Sequence, residues 1–112
     1  MERGEVWWGE MQSPIGRRPV VLIARNYVYQ VRNAVTVGLV TRTIRNIKAE
    51  VKLGQEDGLP DECVANFDDI LTIPKTQLVS KISTLSEEKI KAVNKAIKFA
   101  LHLDYSNLPY NS

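Results

Sequence analysis

The chain has 112 residues, of which 44% are hydrophobic and 25% charged, enough for one modest core and too few for two domains. We therefore expect a single domain over residues 1–112. No apolar run approaches the roughly 18 residues that a membrane span requires, and the N-terminal segment carries no signal-like run, so we expect a cytoplasmic protein without membrane contact. The single cysteine, Cys63, excludes an internal disulfide and a Cys/His metal cluster. We expect it to be a core thiol, and we expect no metal or cofactor.

The charges are distributed unevenly along the chain. Residues 1–54 hold nine Lys and Arg against four Asp and Glu, whereas residues 55–112 hold six against nine. Arginine outnumbers lysine in the basic half, and the guanidinium group suits phosphate contacts. The pattern favours a basic face for an anionic partner, with a merely solvated surface as the alternative.

The first two thirds of the chain are typical of short strands joined by turns. Val6, Trp7 and Trp8 have strong strand propensity, and the continuous apolar run 20–24 fits a central strand that is buried on both faces. Turn residues mark the segment around Pro14 and Gly16 and the loop 54–61. The patterns predict strands over 3–10, 18–26, 34–41, 48–53, 63–67 and 70–73, with a polar connector over 27–33.

The last third of the chain predicts one helix over residues 87–102. Ser86 is a suitable N-cap, and Glu87 and Glu88 lie in the first turn, where the helix dipole favours acids. Apolar residues then recur at helical spacing: Ile90, Val93, Ile97 and Leu101. The fold class expected is α+β, a small antiparallel β-barrel closed by a C-terminal α-helix, with the tail 104–112 extended along the surface.

Four segments, in this order and spacing, resemble the MazF/PemK family of toxin endoribonucleases. They are Arg3-Gly4-Glu5-Val6-Trp7, Gly16-Arg17-Arg18-Pro19-Val20-Val21, Leu39-Val40-Thr41 and Cys63-Val64-Ala65-Asn66-Phe67-Asp68-Asp69-Ile70. The resemblance implies an SH3-like barrel, a homodimer, and sequence-specific cleavage of single-stranded RNA without a metal or other cofactor. In that reaction the ribose 2′-hydroxyl attacks the adjacent phosphorus. The resemblance also implies that a cognate antitoxin protein neutralises the enzyme.

Carried over by position, the resemblance implies that Arg18 and Thr41 are the catalytic pair and that Asp68 is the acid near the cleavage site. A guanidinium donates several N–H groups in fixed geometry and suits the charge that grows on phosphorus-bound oxygens, but it is a poor proton acceptor. The general base therefore stays open between Asp68 and the substrate itself. Further candidates for contacts to the RNA backbone are Arg17, Arg42 and Arg45.

Structural alternatives exist for each of these residues. Arg17, Arg42 and Arg45 also fit solvated surface charges. Arg18 fits an ion pair across the barrel rim, Thr41 an ordinary strand position, and the pair Asp68 and Asp69 a turn. His102, near the helix end, fits a cap or surface role better than a catalytic one.

Other functions also remain open from the sequence. One is an RNA- or protein-binding barrel without catalysis, and another is a gyrase poison of the same fold, whose members carry a C-terminal tryptophan that this sequence lacks. The connector 11–16 is shorter than the loop that touches RNA in many relatives, so the choice between mRNA and tRNA as target is also open.

Overall fold

The computed structural model describes residues 1–103, and the tail 104–112, predicted to extend along the surface, lies outside that range. Six strands and two α-helices follow one another along the chain. They are β1 (Glu5–Glu10), β2 (Arg17–Leu22), α1 (Val28–Val31), β3 (Ala34–Thr41), β4 (Glu50–Leu53), β5 (Cys63–Pro74), β6 (Leu78–Thr84) and α2 (Glu87–Ala100). A short 3-10 turn at Gln55–Asp57 lies between β4 and β5, and a second one at Lys75–Gln77 connects β5 to β6.

The six strands form one curled antiparallel sheet in the order β4-β5-β3-β2-β1-β6. Its two edges, β4 and β6, do not pair with each other in the part of the chain described, so the barrel is open on one side. The predicted α+β class, an SH3-like antiparallel barrel with a C-terminal helix, is confirmed.

Both faces of the central strands are buried. Val20, Val21 and Leu22 in β2 are fully excluded from solvent, as the continuous apolar run predicts. Because side chains alternate along a strand, Val21 joins the cluster beneath α2, whereas Val20 and Leu22 join a second cluster on the other face. The second cluster is closed by Val28 and Tyr29 of the short helix α1.

Strand β5 corrects the prediction of two separate strands around an acidic turn. It is continuous from Cys63 to Pro74 and carries a bulge at which the register with β3 shifts between Gly38 and Leu39. The ring of Phe67 lies against Gly38, at a position where any side chain on residue 38 would collide with it. Because Leu39 pairs with Asn66 and Gly38 with Ile70, the extra residues of β5, among them Asp68 and Asp69, lie in the bulge and the strand bends there.

Helix α2 begins and ends close to where the sequence predicts. The Ser86 hydroxyl oxygen accepts a hydrogen bond from the Lys89 backbone N–H at 3.1 Å, as expected of an N-cap. Just beyond the other end His102 adopts a left-handed conformation, and the Leu103 N–H donates to the Lys98 carbonyl at the helix end. Within residues 1–103 no helix has the length and apolar character needed to cross a membrane.

Candidate active site

A cleft of about 400 Å³ opens where β2 begins and β3 ends. One wall comes from β1, β2 and β3, and the facing wall comes from the segment between β4 and β5. The residues that line it are Trp8, Arg17, Arg18, Pro19, Val40, Thr41, Arg42, Thr43, Leu59, Pro60, Asp61 and Cys63. Three arginines and two threonines thus lie in a space of nucleotide size.

The strand register places Arg18 and Thr41 beside each other. Val20 of β2 pairs with Leu39 of β3 in the antiparallel sheet. Arg18 lies two residues before Val20, and Thr41 lies two residues after Leu39, so both side chains lie on one face of neighbouring strand ends. The structure therefore brings together the two residues that the sequence predicts as a catalytic pair.

Arg18 has no acidic partner in residues 1–103. None of the ion pairs or side-chain hydrogen bonds found there involves its guanidinium, which is half-buried in the cleft wall. The structural alternative of an ion pair across the barrel rim is therefore not realised among these residues. No acid in residues 1–103 occupies the donors of this guanidinium, so they are available to a phosphate in the cleft.

The Thr41 hydroxyl is oriented by the turn that follows it. Its oxygen accepts a hydrogen bond from the Thr43 backbone N–H at 3.1 Å. Because the hydroxyl oxygen accepts this bond, its own hydrogen remains available to donate into the cleft.

The other two cleft arginines are already paired with acids. Arg17 contacts Glu10 at 2.7 Å and lies over the Trp8 ring at 4.8 Å, and Arg42 contacts Asp61 at 2.9 Å. All four charged side chains are more than half exposed, so these pairs are weak and exchangeable. Both arginines remain able to turn toward a phosphate.

Cys63 lines the cleft but does not supply a nucleophile. Burial raises the pKa of its thiol, with a smaller contribution from the nearby carboxylate of Asp57. The thiol points to the Leu53 carbonyl at 3.8 Å. It remains protonated at neutral pH, in agreement with the predicted core thiol.

A second and larger groove, of about 680 Å³, lies between β4 and α2. Lysines surround an apolar floor there, and Lys48 lies 5.8 Å from the centre of the Phe99 ring. Among residues 1–103, no arginine, serine or threonine lines this groove, so these residues do not give it the fixed fork and the hydroxyl that the cleft has.

Comparison with known proteins identifies the family. The model of the PemK-like, MazF-like toxins of type II toxin-antitoxin systems matches residues 2–101. The chain belongs to this family. A relative named probable endoribonuclease MazF2, from Mycobacterium tuberculosis H37Rv, is 38% identical over 91 residues, which are 80% of this chain and 87% of the relative.

Solved structures of this family have the same fold. The Mycobacterium tuberculosis toxin MazF-mt6 aligns with a TM-score of 0.83 at 29% identity, covering 90% of this chain and 99% of that toxin. An endoribonuclease from Mycobacterial species, solved in complex with its cognate antitoxin, aligns with a TM-score of 0.82 at 25% identity over 94% of this chain and 98% of that protein. The resemblance stated from the sequence is confirmed.

Two residues predicted for the MazF-like site lie outside the cleft. Asp68 is exposed on the β5 bulge, beyond the stretch in which Val64 pairs with Thr41, and it does not line the cleft. Arg45 is also exposed and outside it, and its backbone N–H donates to the Glu50 carboxylate. The bulge is the physical reason in the case of Asp68, because it carries that side chain away from the strand end.

The sequence does not single out Asp61 as a site residue. It lies in the predicted loop 54–61, and the hairpin between β4 and β5 brings it opposite Arg42. Its location after Pro60 gave no periodic signal. Within residues 1–103 no three His, Cys, Asp or Glu side chains are grouped closely enough to hold a metal ion.

Proposed function

We propose that this protein is the endoribonuclease toxin of a toxin–antitoxin pair and that it cleaves single-stranded RNA at specific sequences without a metal. The observation that carries the proposal is that one cleft holds the Thr41 hydroxyl and the Arg18 guanidinium, which has no acid partner in residues 1–103. Membership of the MazF-like toxin family and relatives named endoribonucleases support it.

The reaction proposed is attack by the ribose 2′-hydroxyl on the adjacent phosphorus. The bond from phosphorus to the 5′-oxygen breaks, so that one fragment ends in a cyclic phosphate and the other in a 5′-hydroxyl. The 2′-hydroxyl loses its proton, and the leaving 5′-oxygen gains one.

In this reaction Arg18 and Thr41 stabilise developing negative charge, and neither of them acts as the general base. Arg18 N–H groups and the Thr41 hydroxyl donate to the oxygens on which negative charge grows in the transition state. Arg17 and Arg42 hold the flanking phosphates once they leave their exposed acid partners. Arg45 extends the basic surface outside the cleft.

The proposal includes the context in which the enzyme works. A MazF-like structure determined with its cognate antitoxin supports a protein antitoxin as the partner of this chain. We also propose that the whole chain forms one domain, that two copies form a homodimer, and that the protein acts in the cytoplasm.

The test is incubation of the purified protein with a long single-stranded RNA in EDTA, followed by mapping of the fragment ends. Discrete cuts that leave 5′-hydroxyl and cyclic phosphate ends are expected. A matched substrate with 2′-deoxyribose at one mapped site should be cut at every site except that one.

Intact RNA would contradict the endoribonuclease proposal and favour a barrel that binds RNA without cleaving it. Fragments with 5′-phosphate ends, or cutting at the 2′-deoxy position, would contradict the 2′-hydroxyl mechanism. Folded tRNA is included as a second substrate, because the preference between mRNA and tRNA is part of the same experiment.

A further inference from the structure

A carboxylate lies among the three arginines of the cleft. Asp61 is the acid that lines the cleft among residues 1–103, and its side chain is 59% exposed beside Arg42. An acid in a phosphate-binding cleft repels the RNA backbone and therefore weakens binding that depends on charge alone. A carboxylate is useful in such a cleft if it accepts hydrogen bonds from a base.

We propose that Asp61 is a specificity-determining residue that binds the Watson–Crick edge of a guanine in the RNA substrate. The inference rests on the proposed function and names the base that the same cleft selects. Bases of single-stranded RNA are splayed out and read along this edge, so the edge is accessible to a side chain in a cleft.

The match between guanine and a carboxylate follows from their donors and acceptors. An ionised carboxylate has two oxygens that only accept. The guanine edge offers two adjacent donors, the ring N1–H and the exocyclic N2 amine, one for each oxygen. The other three bases present an acceptor next to any donor on this edge, so a carboxylate oxygen opposite them faces a lone pair.

The segment that carries Asp61 is fixed at several points. The Gly54 N–H donates to the Asp57 carboxylate at 3.0 Å, and the Ser83 hydroxyl donates to the Asp57 carbonyl. Leu59, two residues before Asp61, is 3% exposed in the core. A side chain on a fixed segment selects a base better than one on a mobile loop, because the segment loses little conformational freedom when RNA binds.

Arg42 provides the exchange that frees Asp61. The two side chains are 2.9 Å apart and more than half exposed, so water screens the pair and the two separate readily. When RNA enters, Arg42 turns to a phosphate and Asp61 accepts from guanine, so each charge keeps a partner.

The experiment compares wild type, Asp61→Asn and the control Glu62→Gln on a single-stranded RNA library, with cut sites mapped by their 5′-hydroxyl ends. Glu62 is the neighbouring acid, is exposed, and does not line the cleft. Wild type and Glu62→Gln should share one motif position occupied by guanine. An asparagine presents one acceptor and one donor, which match an adjacent donor and acceptor on the edge of any of the four bases, so Asp61→Asn should relax the preference for guanine at that position.

A defined oligoribonucleotide then isolates the exocyclic amine. Replacing the selected guanosine by inosine removes that amine, and kcat/KM of wild type should fall by about tenfold. The same replacement should change kcat/KM of Asp61→Asn by less than about twofold, because the partner of the amine is already gone.

Three results would overturn the inference: no guanine preference in wild type, an unchanged motif in Asp61→Asn, or loss of cutting at all sequences in Asp61→Asn. The last would make Asp61 a general base. If wild type cuts no RNA, the proposed function fails instead. The guanosine-to-inosine comparison is then made on RNA binding, where equal affinities in wild type would still refute guanine recognition by Asp61.

Discussion

At the scale of single residues, the chemistry of this protein depends on which charges are paired. Arg17 and Arg42 have acids within 3 Å, whereas Arg18 has none in the described chain. A guanidinium that lines a cleft without an acid partner keeps its planar set of N–H donors available for a phosphate. This is why we assign the central phosphate contact to Arg18 and not to its neighbours.

Glu5 shows the opposite arrangement, in which a buried acid is satisfied within the protein. Burial acts to raise the pKa of its carboxyl group. Hydrogen bonds from Trp7 and the Glu2 backbone, together with contact to Lys81, more than offset this and leave the pKa below the ordinary value of a glutamate. The Trp7 indole donates to one oxygen at 2.9 Å, and Lys81 lies 3.3 Å from the other.

We expect Glu5→Gln to lower the free energy of unfolding by about 1–2 kcal/mol at pH 7. Because the folded pKa is lower than the unfolded one, the contribution of Glu5 is complete above about pH 4.5 and is lost as the pH falls through the folded pKa. Urea unfolding of both proteins at pH 7 and pH 3 measures this. If the free energies of unfolding of wild type and Glu5→Gln differ by the same amount at both pH values, the ionic role of Glu5 is refuted.

At the scale of elements, the bend of β5 depends on close packing between β5 and β3. A Cβ on residue 38 would lie 2.5 Å from the Phe67 ring, closer than real contacts allow. Gly38→Ala should therefore destabilise the protein by about 1–3 kcal/mol through overpacking.

Trimming the ring should relieve that clash, so Gly38→Ala combined with Phe67→Leu should lose less stability than the two single changes added together. Chemical denaturation of the four proteins measures the coupling. Additive effects would mean that the ring moves aside freely and that the close approach does not shape the bulge.

The elements that sequence reasoning found are those with strong local patterns. The apolar run of β2 and the capped, amphipathic α2 follow from propensity and periodicity alone. Strand β6 escaped prediction because it is an edge strand with mostly exposed side chains, and its pairing with β1 contains two register shifts. The four-residue α1, in the predicted polar connector, has no side-chain cap and is too short to leave a periodic signal.

The site was predictable to the extent that it lies at strand ends. Arg18 and Thr41 were identified by resemblance, and the β2–β3 register agrees with that pairing. For two acids the prediction and the structure differ. Asp68 is predicted at the site but does not line the cleft, whereas Asp61 lines the cleft but is not predicted. The effect of a bulge on Asp68, and of a hairpin on Asp61, depends on long-range pairing that local residue patterns do not encode.

In the whole molecule, the cleft of one copy is too small to hold several nucleotides of an RNA strand. A volume of about 400 Å³ holds roughly one nucleotide, whereas recognition of a sequence needs several bases in contact. A second copy would extend the binding surface. Apolar side chains that one copy leaves exposed, among them Tyr27 at 63% and Val31 at 56%, are available to such contacts.

We therefore expect the protein to form a homodimer of twice 12.7 kDa in light scattering at micromolar concentration. The measurement is made at several concentrations and salt levels so that a weak charge-driven association is recognised. A monomer mass throughout would contradict the dimer and would leave the single cleft to bind RNA alone.

We propose that the Arg18 fork stabilises the negative charge that develops during RNA cleavage. Lysine keeps the positive charge but loses the planar set of donors. The most direct test is the single-turnover cleavage rate in EDTA of one defined oligoribonucleotide by wild type, Arg18→Lys and the exposed control Arg25→Lys. We predict a loss of at least about 100-fold for Arg18→Lys and a change within about twofold for Arg25→Lys. A folded Arg18→Lys protein that cleaves at the wild-type rate would contradict the account.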